Sequence, residues 1–253
     1  VDELAPEAFA ALAAPAIDRV FAETMLATRS MGGRELSESF GGVSAVGYLI
    51  DLRTRLGAGE AVTPGQFAAI RRYGDLAKAR EILAGQAERG MLSIAEDGTF
   101  RATDRGREFL AALVELHAKV TDTLWAGQPV ARLADLAGRA LAVAQDPATW
   151  AVTTDGHALS AVLPLPSLGT HTGATLLTGL GTLRYHRADA HAAAWQAAGL
   201  TAAGIVALPG HSAVRISVEA ETNRGAAAPW RALTPAERLE FLAGLAALPG
   251  APR

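Results

Sequence analysis

Apolar residues recur at three- and four-residue spacing through most of this chain, a period that predicts helices rather than alternating strands. Residues 6–31 carry Phe9, Leu12, Ala16, Val20 and Phe21 at that spacing and run into Gly32-Gly33. A second helix is predicted over 44–56, after Gly41-Gly42 and before the loop Gly57-Ala58-Gly59. The pattern then changes. Thr63-Pro64 reads as an N-cap with proline at the first helical position, opening a short helix to Arg71 or Arg72. A longer helix over 75–89 closes on Gly90 as its C′ residue. Met91-Leu92-Ser93-Ile94, the turn Glu96-Asp97-Gly98 and Thr99-Phe100-Arg101-Ala102 predict a two-stranded hairpin. Helices follow over 105–124 and 130–145, then a loop region over 146–172 rich in proline and glycine. A long helix over 174–198 follows the breakers of 164–169 and stops at Gly199. A short helix capped by Thr201, a segment over 212–224 and a last helix with the capping box Thr234/Glu237 complete a mainly α protein.

Helix, helix, Arg-Gly-Met-Leu (89–92), hairpin and Ala-Thr-Asp-Arg-Gly-Arg (102–107) is the order of a winged helix-turn-helix. About 50 residues resemble the winged-helix module of MarR-like regulators, whose last strand commonly runs into a Leu-Thr-x-x-Gly-Arg helix. The resemblance implies a reader helix over 75–89, with Lys78, Arg80, Arg89 and Arg101 available to DNA. The wing turn is acidic where a DNA-binding wing usually carries arginine, so packing or dimerisation is the other use of such a module. Three regions are expected: an N-terminal helical segment (1–60), the winged-helix module (61–125) and a C-terminal helical region holding a ligand pocket (126–253).

Composition narrows the function classes. With 253 residues, half of them hydrophobic and only 19% charged, the chain can bury a large core and is not a disordered tail. A net charge of −3 argues against whole-surface attraction to nucleic acid or acidic membranes. The absence of cysteine excludes disulfides, thiolate catalysis and cysteine-ligated metals. No apolar run reaches the roughly 18 to 20 residues needed to span a bilayer, and no charged-then-apolar leader is read, so no membrane partner and a cytoplasmic location are expected. Neither a Walker lysine pattern nor a Gly-x-Ser-x-Gly elbow occurs, which leaves Gly179 and Gly181 as close-packing positions in the long helix.

Against this bland background, residues 184–191 read Arg-Tyr-His-Arg-Ala-Asp-Ala-His inside an alanine-rich helix. At 3.6 residues per turn, Arg187 and His191 fall in the stripe of Leu176, Leu180, Leu183, Ala190 and Ala194. Tyr185 and Asp189 lie opposite, with Thr178 and Thr182, and His186 sits between the faces. A buried arginine and histidine need partners or a ligand. Either Arg187 pairs with a carboxylate such as Glu219 or Glu221 and His191 caps a carbonyl, or Arg187 holds an anionic group in a pocket where His191 transfers a proton. His186 and His191 point about 140° apart, unlike an i,i+4 zinc pair, and zinc would need His157 or His171 as further ligands; no metal is read.

The winged helix, the His-Arg-x-Asp-x-His stretch (186–191) and the Glu-x-x-Thr-Asn…Ala-Ala-Ala-Pro-Trp segment (Thr222, Asn223, Trp230) together resemble a poorly characterised family of actinobacterial helical proteins with an internal MarR-like winged helix. His186, Arg187, Asp189 and His191 match its stretch, whereas Tyr185 and Ala188 depart from it, and no activity comes with the resemblance.

The reading that follows is a small-molecule-binding protein, expected to be a cofactor-independent acid–base enzyme of bacterial specialised metabolism. His186 and His191 would serve as acid and base, Arg187 would hold an oxyanion, and Asp189 would assist. Arg184, Tyr185 and Trp195 would line the ligand, Trp195 because it lies one turn beyond His191. The alternative is a ligand-responsive regulator that binds DNA through the winged helix. A homodimer is compatible with either.

Overall fold

The computed structural model describes residues 4–154, 156–166 and 171–250; within the breaker run 164–169, residues 167–169 lie outside the described residues. The protein is mainly helical, with one β-hairpin among the described residues. Helix α1 (Pro6–Thr28) turns its apolar side, Phe9, Ala13, Ile17 and Val20, into the interior. It ends in a π turn at 29–33, where Gly32 takes a φ of 121°, a conformation that suits a residue without Cβ. Helix α2 (Arg34–Ser39) follows.

The single helix predicted over 44–56 is instead two short pieces, α3 (Val43–Val46) and α4 (Arg53–Gly57). The break has a side-chain cause. Gln86, buried on a neighbouring helix, donates its amide to the Gly47 carbonyl, and Tyr48 sits in the left-handed region at φ 67°. There its ring meets Phe67 edge-on at 5.8 Å and lies 4.4 Å below the Arg71 guanidinium. Tertiary contacts thus outweigh a helical pattern with no breaker stronger than Gly47.

Local signals do set the next elements. α5 (Pro64–Ile70) opens with a capping box between Thr63 and Gln66, and Asp75 caps α6 (Leu76–Glu88). Gly90 follows at φ 71°. Strands β1 (Leu92–Ile94) and β2 (Phe100–Ala102) pair antiparallel with Leu92 opposite Ala102, and Val62 bridges to Phe100 from the other side. Thr103 caps α7 (Asp104–Leu124), which leads into α8 (Val130–Ala144).

The long helix α9 (Thr172–Ala197) is the axis of the molecule. It packs on α8, α1 and α7, and on α11 (Ala213–Gly225). The short α10 (Ala202–Ala207) begins at the Thr201 cap, and the Thr234/Glu237 capping box starts α12 (Pro235–Ala247). One apolar core joins α1, α8, α9 and α12 around Phe9, Trp230 and Phe241, so the first helix packs with the last. A second gathers α3 to α7 and the hairpin around Phe67, Phe100 and Phe109, with Tyr185 of α9 packed against it. A small third cluster places Trp195 on Ile205 and Val218. The side of α9 opposite its apolar stripe is therefore buried as well, with Thr178, Thr182 and Asp189 sequestered there, and His186, between the two faces, is buried at the edge of a cleft beside α1. No helix among the described residues is long and apolar enough to cross a membrane.

Candidate functional site

A cleft of about 370 Å³ runs between α1, α9 and α11. Ala10, Ala14, Pro15 and Ile17 form its α1 wall, Leu183 and Trp230 its floor, and His186, Arg187 and His191 open onto it from α9. α1 can present so smooth a wall because its cleft side carries small residues and a proline. Arg184 stands at the lip, tied to Asp18 at 2.7 Å and lying 4.5 Å over the Phe21 ring, so its charge is already paired.

Arg187 donates to Asn223 Oδ1 at 2.8 Å and to Glu219 Oε2 at 3.1 Å. Of the two carboxylates anticipated for it, Glu219 is the partner; Glu221 binds Arg224 on its own helix. The other oxygen of Glu219 lies 3.7 Å from His191 Nε2, beyond hydrogen-bonding distance, and that nitrogen is buried without a hydrogen-bond partner. The Nδ1 of His191 is engaged by the Tyr73 hydroxyl at 2.7 Å, and the Trp195 indole N–H donates to the same hydroxyl at 3.1 Å.

Protonation follows from these contacts. Burial pushes the His191 imidazolium below its ordinary pKa, Glu219 opposes this, and Arg187 adds to it. Burial alone pushes His186 down to about 4, so it is neutral at neutral pH. The Tyr73 phenol is raised, chiefly by burial, and keeps its proton.

Three of the anticipated residues do other work. Asp189 is held away from the cleft by the Ala158 and Leu159 amides, each at 3.0 Å, and by Arg72 at 3.1 Å; both charged side chains are about 95% buried. Burial raises its carboxyl pKa, and the two amides and Arg72 pull it back. Tyr185 faces the second core, where burial and the neighbouring Asp51 carboxylate raise its phenol. Trp195 does not line the cleft; it supports Tyr73 from behind. The possible DNA contacts lie elsewhere, with Lys78 and Arg80 exposed on α6. Arg89 and Arg101 each spend a donor on a nearby carbonyl, those of Gly85 and Gly59. No group of three or more metal-ligating side chains occurs among the described residues.

Tyr73 and Arg72 were not legible as site residues. They sit in the turn between α5 and α6, 84 to 122 positions before their partners, and only the local Gly74-Asp75 turn signal marks the place.

No protein-family model, curated protein or solved structure matches the chain.

Proposed function

We propose that the protein binds a small, largely apolar molecule in the cleft beside α9 and performs acid–base chemistry on it without a cofactor, as an enzyme of bacterial specialised metabolism. The observation that carries this reading is the convergence of His186, Arg187 and His191 on one cleft whose opposite wall is apolar except for Asp18, which Arg184 pairs at the lip. Its volume suits a small organic ligand, and few polar groups on an apolar lining are what such sites commonly present. His186 is neutral and offers a proton acceptor; Arg187, fixed by Asn223 and Glu219, keeps further N–H donors for a developing oxyanion. Proton removal and return at different atoms of one ligand is isomerase, lyase or cyclase chemistry.

A ligand-observed NMR screen of aromatic ketones and keto acids tests it. Binders found with the native chain are expected to be lost in Ala14→Trp, which fills the cleft. His191→Ala is expected to keep binding and to lower turnover about 10²- to 10⁴-fold. Binding that survives Ala14→Trp would remove the cleft from the function.

A second reading, a ligand-responsive MarR-like regulator, is favoured by one observation: the turn between α5 and α6 supplies Tyr73 to the cleft. A ligand there would touch the segment that sets the angle of α6. The Val62–Phe100 bridge supports a winged-helix identity for this part. Salt-sensitive, specific retardation of DNA from the gene's own promoter, changed by a cleft ligand, would favour the regulator over the enzyme.

A further inference from the structure

Tyr73 occupies a position for which neither the helical cluster nor its histidines account. Its oxygen receives the Trp195 N–H, an indole being a donor only, and faces His191 Nδ1. Behind the imidazole, Nε2 looks at the Glu219 carboxylate. A lone pair directed at a carboxylate is repulsive and an N–H is attractive, so the neutral ring carries its proton on Nε2 and accepts the Tyr73 proton on Nδ1.

We infer that Glu219, His191 and Tyr73 form a carboxylate–imidazole–phenol relay whose reacting end is the Tyr73 oxygen in the cleft, acting on an apolar molecule with an enolisable carbonyl. This deepens the acid–base reading of the cleft and rests on it. In the relay, a C–H proton of the ligand passes to Tyr73 Oη as the phenol proton passes to His191 Nδ1. The ligand becomes an enolate, and the new imidazolium is faced by Glu219. The Trp195 N–H holds the phenol oxygen in place throughout and stabilises charge on it. Glu219 must approach Nε2 by on the order of 1 Å to close the chain, a tightening that ligand-free sites commonly await. Glu219 is itself occupied by Arg187 and Asp18 by Arg184, so neither carboxylate that lines the cleft is free for an ammonium ligand. Tyr73 is 41% exposed, whereas Tyr185 is enclosed by the second core and Tyr48 lies under Arg71.

The test is labelling of the full chain with benzenesulfonyl fluoride. Tyr73 Oη forms the S–O bond, fluoride leaves, and the phenol proton goes to His191 Nδ1. Peptide mass spectrometry is expected to find Tyr73 modified ahead of Tyr48 and Tyr185, the three tyrosines of the chain. His191→Gln should slow this at least about 10-fold, as loss of a general base does. Glu219→Gln, at a half-exposed position, should slow it too and serves if His191→Gln does not fold. Equal labelling in both variants, or modification of a histidine instead of Tyr73, overturns the relay. Histidine ¹⁵N NMR reads the geometry without any ligand: Nε2–H is expected for His191 in the native chain, with redistribution in Tyr73→Phe. An Nδ1–H tautomer, or no change in Tyr73→Phe, also overturns it. Failure of the cleft reading looks different, because no cleft residue would be labelled while the Nε2–H tautomer persisted.

Discussion

His117 lies fully buried on α7 with both ring nitrogens lacking a partner, and burial, with Arg53 nearby, pushes its pKa from 6.5 down to about 3. His186, at about 4, behaves likewise. Both histidines are thus held neutral by the fold. Between pH 6.5 and about 4 the unfolded chain binds more protons than the native one, so stability falls as pH falls through that window and is retained above it. The buried Asp189 and Asp51 carboxyls, raised by burial, act in the opposite sense, so the histidine contribution is isolated by comparing the native chain with a variant that lacks one ring. Urea midpoints measured at pH 7 and pH 5 should show the fall, and His117→Phe should flatten it. A pH 7 to pH 5 change as large in His117→Phe as in the native chain would contradict the burial of that ring. The same residue-scale argument explains why Arg187 was legible and Tyr73 was not. A cation in an apolar stripe announces a need for partners, but a tyrosine in a polar turn announces nothing.

At the scale of elements, α9 is held by close approach on several sides. A Cβ at Gly181 would come within 2.9 Å of Phe21 Cε2, the ring on which Arg184 lies. Gly181→Ala is expected to lose stability, because overpacking costs about 1–3 kcal/mol against a gain in helix propensity of about 1 kcal/mol. Gly138, in the middle of α8, has nothing within 4 Å of such a Cβ, so Gly138→Ala should stabilise by about 0.5–1 kcal/mol. Thermal or urea unfolding of the two variants should therefore move in opposite directions. The caps at Thr63, Thr201 and Thr234 were read from the sequence because capping is a contact between near neighbours in the chain, and the structure adds Asp75, Thr103 and Ser212 as caps of the same local kind. The break between α3 and α4 was not, since the donor that takes the Gly47 carbonyl comes from Gln86, 39 residues away.

Across the whole molecule, one turn links the second core to the helix that bears the cleft. Arg72 reaches Asp189, the Ala188 carbonyl and the Gly156 carbonyl, while Tyr73 reaches His191 beside it. Asp189 gathers that arginine and the amides of the 158–159 segment. Removing one member of such a buried pair strands the other, so Asp189→Asn is expected to cost about 3–5 kcal/mol, whereas Arg72→Met with Asp189→Asn should recover part of it, because no charge is then left unpaired and the 158–159 amides keep an acceptor. Equilibrium unfolding of the single and double variants checks this; equal losses in both would mean that the pair is not the connection between the two parts.

What the amino-acid pattern determined by itself was local: a mainly helical chain, many helix ends, the hairpin, and one helix whose buried charges need partners or a ligand. Periodicity and capping act within a few residues and can be read there. What only the tertiary structure decided was which polar groups meet. It turned Asp189 into a structural anchor, sent Tyr185 to the other core, placed Trp195 behind the cleft, and brought Tyr73 and Glu219 to His191. Those meetings depend on how separate helices pack, and the energy that selects them comes from burial and pairing between residues far apart in the chain, which no local pattern records.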